Sequence, residues 1–178
     1  MDNTLMTIIG LFLVATLMFV VPLMSVSERN DDIAQSVVQT ATSEFVETVS
    51  NVGSIRPSDY EAYIQKLNST GNTYDVEIEV QHLDENFGKK NSLTSGDLIG
   101  ENERYSTFTT DILDNMYSGS DPKNYVLKKG DNIVVTAKNT NKTLAQSLRG
   151  FIYKVTGQGT YQVAASATSM VINNGNNK

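Results

Sequence analysis

The 178-residue chain contains no cysteine, no tryptophan and a single histidine, His82. The absence of cysteine excludes a disulfide framework, a thiolate metal site and a cysteine nucleophile. A histidine-based catalytic centre would depend on His82 alone, and no nucleophile motif such as G-x-S-x-G accompanies it. A lone histidine at the end of an acidic strand is ordinarily a surface residue. We therefore expect a protein that is not an enzyme, with no catalytic residues, no cofactor and no metal site.

Basic residues are also scarce, with 14 Lys and Arg against 20 Asp and Glu, which gives a net charge of -6. The pairs Lys89-Lys90 and Lys128-Lys129 are isolated, and nucleic-acid binding needs clustered cations. We therefore expect no nucleic-acid partner. Only 3 prolines and 12 glycines occur. This composition favours a folded domain over a low-complexity chain.

Charge is missing altogether from Leu5 to Met24. About 20 apolar residues in a helix suffice to cross a bilayer, whereas a signal peptide has a shorter apolar region and a basic front end. Residues 1–4 include no Lys or Arg, which favours a retained helix. A cleaved signal and a buried helix of a soluble domain are the alternatives. The residues assigned to this membrane or assembly half, 4–24, are Leu5, Ile8, Ile9, Leu11, Phe12, Leu13, Leu17, Phe19, Val20, Pro22 and Leu23.

An amphipathic pattern follows directly, over residues 27–52. Its apolar stripe consists of Ile33, Val37, Ala41, Phe45, Val49 and Val52. Neither glycine nor proline separates it from the apolar run, so one helix is predicted from about residue 4 to residue 52, bent at Pro22. Gly53 is a natural stop. Phe45 is expected on a buried face.

The remainder, residues 54–172, predicts a small α+β head with a mostly antiparallel sheet. A short helix begins at Pro57 and ends before Gly71, and Tyr74–Val80 alternates as a half-buried strand. Residues 86–104 indicate an irregular loop. A helix is predicted within 106–119, with Phe108 buried, and a hairpin is predicted to turn at Lys129-Gly130-Asp131. The segment 141–155 is ambiguous. The domain is expected to end in a strand carrying Tyr161, Val163, Ala165 and Ala167, followed by a flexible tail at 173–178.

This layout resembles type IV pilins and pseudopilins, and within them the tight-adherence, TadE-type minor pilin-like proteins. The likeness rests on Leu5–Met24 with Pro22, on the stripe Ile33–Val52, and loosely on "KKGDNIVVTA". It implies a subunit of an extracellular, adhesive pilus-like filament, a homopolymer built by packing the N-terminal helices. The helix would reside in the cell membrane before assembly, and the head would lie outside the cell.

The alternative implied by the same resemblance is a single-pass accessory protein of a secretion, conjugation or pilus-assembly machine that does not polymerise. Pilins carry a glutamate near the mature N-terminus that pairs with a neighbour's terminal amine. Here Leu5 and Met6 occupy that region, and Asp2 is the candidate partner of the amine. A third hypothesis is an anchored enzyme or ligand-binding domain. It would need a polar pocket, which no sequence motif indicates.

Overall fold

The computed structural model describes residues 2–83, 104–147 and 163–175. It confirms an α+β fold in which one long N-terminal helix leads into a small head with an antiparallel sheet. In chain order the elements are α1 (Asp2–Val52), β1 (Ser54–Ile55), α2 (Pro57–Asn68), β2 (Tyr74–Leu83), β3 (Arg104–Phe108), α3 (Thr109–Tyr117), β4 (Tyr125–Val126), β5 (Asn132–Asn139) and β6 (Ala164–Met170).

The main sheet has four antiparallel strands in the order β3-β2-β5-β6. Its inner face carries Val76, Ile78 and Val80 from β2, which pair with Ala137, Val135 and Ile133 of β5. This face packs against α1. Acidic side chains of β2 occupy the opposite, open face, as the alternation of apolar and charged residues predicts. The sheet therefore has one buried face and one solvent-exposed face.

The packed face of α1 follows a true helical repeat. Its buried positions advance by steps of four or three residues. They are Ser27, Asp31, Ala34, Val38, Ala41, Phe45 and Val49, with Thr42, Val46 and Ser50 beside them. The predicted stripe advances mainly by four, and each such step drifts about 40° around a helix of 3.6 residues per turn. Ala41, Phe45 and Val49 lie in the core, and Val37 is half-buried. Ile33 and Val52 are 56% and 37% exposed, so the predicted apolar stripe does not lie wholly on the buried face of α1.

Helix α2 packs against the C-terminal half of α1 and joins it to the head. The Phe45 ring stacks on Tyr63 with centroids 4.7 Å apart and planes 7° apart. The Tyr63 hydroxyl lies 3.0 Å from the Thr42 hydroxyl, which donates to the Val38 carbonyl. Burial raises the pKa of Tyr63, and its hydrogen bond to Thr42 offsets part of that rise. The predicted burial of Phe45 is confirmed.

Two predictions about the middle of the head were wrong. β4 does not form a hairpin with β5: it pairs with β1, while β5 pairs with β2 and β6. Phe108 is not inside α3, because it ends β3 opposite Glu79 and is 57% exposed. Of the ambiguous segment, Leu144–Ser147 forms one helical turn. Residues 148–155 and Tyr161 lie outside the described chain, and most of the 86–104 loop does too.

The chain end is docked where a flexible tail was predicted. The Asn173 side-chain amide donates to the Asn51 carbonyl, and the Gly175 amide donates to the Leu127 carbonyl. Gly53, with a φ of 76°, faces this segment, and a Cβ built on it would lie 2.2 Å from the Asn173 carbonyl oxygen. Residues 173–175 thus belong to the head. The rest of the predicted tail, 176–178, is outside the described residues.

Gly53 and Gly71 form a matched pair that tests this docking. Both have positive φ, 76° and 78°, but a Cβ on Gly71 meets no atom within 4 Å. We expect Gly71→Ala to cost only the backbone strain, about 1–2 kcal/mol. Gly53→Ala adds the clash with the docked segment and should cost clearly more. Urea unfolding of the full chain in detergent, followed by circular dichroism, measures both; equal losses would contradict tight docking.

Candidate membrane and assembly surface

The N-terminal half of α1 is an exposed apolar rod. Fourteen large apolar side chains between Leu5 and Val26 are at least 48% exposed. The most apolar 18-residue window has a mean hydropathy of 2.5, and none of it is buried. The helix is long and apolar enough to cross a membrane. All residues predicted for the membrane or assembly half lie on this rod, and among them Val20 alone is half-buried.

Polar atoms within the rod are largely satisfied by the helix itself. The Thr7 hydroxyl donates to the Asn3 carbonyl at 2.7 Å, and the Thr16 hydroxyl donates to the Phe12 carbonyl at 2.8 Å. α1 remains helical across Pro22, although proline cannot donate the usual hydrogen bond to the Met18 carbonyl. An unsatisfied polar group in hydrocarbon costs several kcal/mol, so these internal bonds suit a lipid or a packed helical environment.

The rod joins the head through a polar neck, Ser27–Asp32. Asp31 is 7% exposed, and its Oδ2 accepts a 2.8 Å hydrogen bond from the Thr143 hydroxyl. A polar cleft of about 270 Å³ lies beside this bond, lined by Ser27, Asn30, Asp31, Thr70, Gly71, Asn72, Asn141, Lys142, Thr143, Leu144 and Ala145. The head therefore contacts α1 at the point where the apolar run ends.

The Asp2 side chain lies outside the described part of the structure. The backbone of Asp2 opens α1. Leu5 and Met6, one turn further on, are 63% and 72% exposed. Asp2 as the partner of a neighbour's terminal amine stays a prediction.

His82 occupies a half-buried hydrogen-bonded cluster rather than a bare surface. Its Nδ1 lies 2.9 Å from Asp131 Oδ2, and its Nε2 lies 3.1 Å from the Tyr125 hydroxyl. The Asp131 side chain is 2% exposed and also accepts the amide protons of Lys128 and Leu83. A neutral imidazole with its proton on Nδ1 satisfies both contacts. Burial raises the pKa of Tyr125.

This cluster resembles part of a catalytic relay, but its geometry is that of a structural joint. Asp131 contacts His82 and Leu83 at the end of β2 and also accepts from the Lys128 amide within the β4–β5 turn. Arg104 donates to the Gly130 carbonyl of the same turn. His82 therefore helps to hold the end of β2 against the β4–β5 turn. In the described ranges no group of three or more histidines and carboxylates is placed to hold a metal ion.

A second cleft, of about 530 Å³, lies on the open face of the sheet beside Glu77, Glu79 and Phe108. Glu77 forms an ion pair with Lys138 at 3.1 Å. Glu79 accepts hydrogen bonds from Ser106 and Gln81, which lower its pKa. Glu77 and Glu79 are thus engaged with β5 and β3, and they act as cross-strand contacts.

Sequence reasoning missed Asp31, Thr143, Thr42 and Asp131 as residues that position the rod and the head. Asp31 and Thr42 carry a signal, since both fall on the true helical repeat of the packed face. Thr143 and Asp131 carry none, because their partners are 112 and 49 residues away. Polar residues at such separations are brought together only by the fold.

Asp131 should be a determinant of stability. Asp131→Ala leaves two backbone amides and the His82 imidazole without their acceptor, and we expect a loss of roughly 3 kcal/mol or more. Asp131→Asn retains one acceptor oxygen and should lose less. The control is Asp75→Ala on the open sheet face, expected to stay within about 0.5 kcal/mol. Urea unfolding midpoints of the full chain in detergent measure the three variants. If Asp131→Ala lowers the free energy of unfolding no more than the control does, Asp131 does not hold β2 and the β4–β5 turn together.

Comparison of the chain with family models, with curated proteins and with solved structures gives no match. The function is therefore inferred from three features of the chain itself. These are the exposed apolar rod, the polar neck that ends it, and the packing of the same helix into the head.

Proposed function

We propose that this protein is a structural subunit of an extracellular pilus-like filament. Its apolar rod, Leu5–Val26, resides in the membrane as a single span before assembly. In the filament the same surface packs against the rods of neighbouring copies. The head lies outside the cell on the filament surface.

One observation carries this proposal: α1 is a single helix that serves two environments. At 1.5 Å per residue its 51 residues extend over about 76 Å. Its second half is part of the head core, whereas its first half is exposed except for the half-buried Val20 and Met24. Burying one large apolar side chain is worth about 1.5–3 kcal/mol. A rod with fourteen such residues therefore needs lipid or other rods around it.

The rod also has the form of a packing element rather than of an anchor alone. The head is joined to it rigidly, through the Asp31–Thr143 bond, the Phe45–Tyr63 stack and the Glu44–Lys66 ion pair. Rods packed side by side would then hold their heads in a fixed, repeating arrangement. A flexible tether, which would suffice for a simple anchor, is absent between residues 24 and 53, where α1 is continuous.

A second candidate is a membrane-anchored accessory protein of a secretion, conjugation or pilus-assembly machine. The observation that favours it is the uncharged turn at Leu5 and Met6, where the pilins that this chain resembles carry a glutamate. Without a carboxylate at that depth, a neighbour's terminal amine would be left unpaired in an apolar surrounding, which is costly. Only Asp2 offers a substitute.

Electron microscopy of material sheared from cells that express the chain tests the proposal. We expect filaments of uniform width with this protein as the main component, and helices packed in their core. Mass analysis of the N-terminus identifies the first residue of the assembled subunit. Membrane fractions that hold the intact chain, with no filaments under any expression level, would favour the accessory protein.

The Asp2 variants separate the two candidates further. Asp2→Ala should abolish filaments, because it removes the only carboxylate available to a neighbour's amine, while Asp2→Glu should retain them. The matched control is Asp32→Ala, an exposed carboxylate of α1 outside the rod. Normal filaments from Asp2→Ala would disprove the pairing. Loss of filaments in the control would mean that removing a carboxylate from α1 disturbs assembly wherever it stands, and that the effect of Asp2→Ala is not specific.

A further inference from the structure

We propose that the neck loop, Asn141–Ala145, is a second membrane contact that inserts Leu144 into the headgroup layer of the bilayer surrounding the rod. The proposal rests on the membrane stage of the proposed function. It identifies a surface of the head, separate from the rod, whose partner is a phospholipid surface.

The depth of the neck loop follows from the helix beside it. A bilayer has about 30 Å of hydrocarbon and about 5–8 Å of headgroups on each side. If the apolar run ends the hydrocarbon at Met24, then Ser27 lies about 4–5 Å beyond that boundary and Asp31 about 10 Å beyond it. Leu144 lines the same cleft as Ser27 and Asp31, and its neighbour Thr143 bonds to Asp31. These contacts place the loop at the outer side of the headgroup layer.

The head-facing side of α1 supports this placement. Met24 and Val20 are half-buried, whereas most of the rod is exposed. Ser27, one turn after Met24, is already 6% exposed. Ser27 lines a cleft together with residues of the head, so the head meets α1 within one turn of the end of the apolar run.

The side chains of the neck loop suit the headgroup layer. Leu144 is 55% exposed on a loop that is otherwise polar, and Lys142 next to it is exposed. A leucine reaches the acyl boundary while a lysine keeps its ammonium among the phosphates. The neck itself is acidic, since Glu28, Asp31 and Asp32 outnumber Arg29. The contact is therefore mainly apolar and needs no anionic lipid.

The neck loop is held in this form before any lipid binds. The Thr73 amide donates to the Asn141 side chain at 2.8 Å, and the Thr143 hydroxyl donates to Asp31. The Gln146 amide donates to the Thr143 hydroxyl and the Thr143 amide donates to the Gln146 side chain, a reciprocal cap that begins the turn Leu144–Ser147. Leu144 is thus presented outward by a fixed loop at the level of the headgroups.

The lack of cysteine makes a direct test possible, because each introduced cysteine can be labelled alone. Leu13, Leu144 and Ile172 are each 55% exposed and form a matched set. Ile172 donates its amide to the Ser50 carbonyl, about 39 Å along α1 from Met24. Each residue is changed to cysteine in the full chain, labelled with an environment-sensitive fluorophore, and reconstituted into phosphatidylcholine vesicles. The vesicles contain lipids with a nitroxide quencher either just below the headgroup or deep in the acyl chain.

We expect Leu13→Cys to be quenched best by the deep nitroxide and Leu144→Cys by the shallow one, severalfold more than Ile172→Cys. Quenching at Leu144 equal to that at Ile172, with Leu13 quenched, would overturn the membrane contact and leave the rod's insertion intact. An unquenched Leu13 would overturn the membrane stage and this contact together.

A second variant excludes insertion driven by the fluorophore itself. The label is placed at Lys142→Cys, and Leu144 is either kept or changed in Leu144→Glu. If Leu144 inserts, the charged variant should remove most of the shallow quenching at position 142. Unchanged quenching would show that Leu144 does not make the contact. Circular dichroism of both variants checks that the head remains folded.

Discussion

The constraint on which the rest of the structure depends is the continuity of α1. A helix can be apolar on all sides only where lipid or other protein surrounds it, and it can be amphipathic only where one face meets a core. α1 does both in succession, and the change takes place between Met24 and Asp31 without a break in the helix. The sheet, α2 and the docked chain end all assemble on the second half, so the geometry of the head is set relative to the rod.

In a membrane, the neck would fix the position of the rod. Placing a charged residue at the centre of a bilayer costs about 2.5–3.5 kcal/mol even on the insertion scales that give the lowest values. Glu28, Asp31 and Asp32 stand within the first two turns after the apolar run, so movement of the helix further into the hydrocarbon is opposed at once. Movement in the other direction exposes Leu23 and its neighbours to water. The polar neck and the apolar rod thus define one depth.

The sequence predicts those parts of the fold in which the pattern is local. The rod, the strand Tyr74–Val80 and the helix that begins at Pro57 each show their period within a dozen residues, and each is confirmed. Only part of the predicted apolar stripe of α1 lies on the buried face, because a run of four-residue steps drifts around the helix and leaves Ile33 exposed. The pairing of β4 with β1 depends on residues 70 apart, and the turn signal at Gly130 gives no information about it. The apolar rod is the part of the candidate site that local pattern reveals, whereas the neck contact between Asp31 and Thr143 exists only after folding.

In the proposed function the membrane and the filament would compete for the same apolar surface, and this competition would limit what can drive assembly. Lipid tails are about as apolar as leucine, so moving the rod from lipid into a bundle of rods gains little hydrophobic free energy. Close packing, the few polar groups of the rod and contacts between heads must then supply the difference. Thr7 and Thr16 already bond to their own helix, which leaves the first turn and the heads as the places where copies can recognise one another. Under the proposed function, the single carboxylate of Asp2 would therefore decide between a filament subunit and a membrane-anchored protein, although it adds almost nothing to the size of the apolar surface.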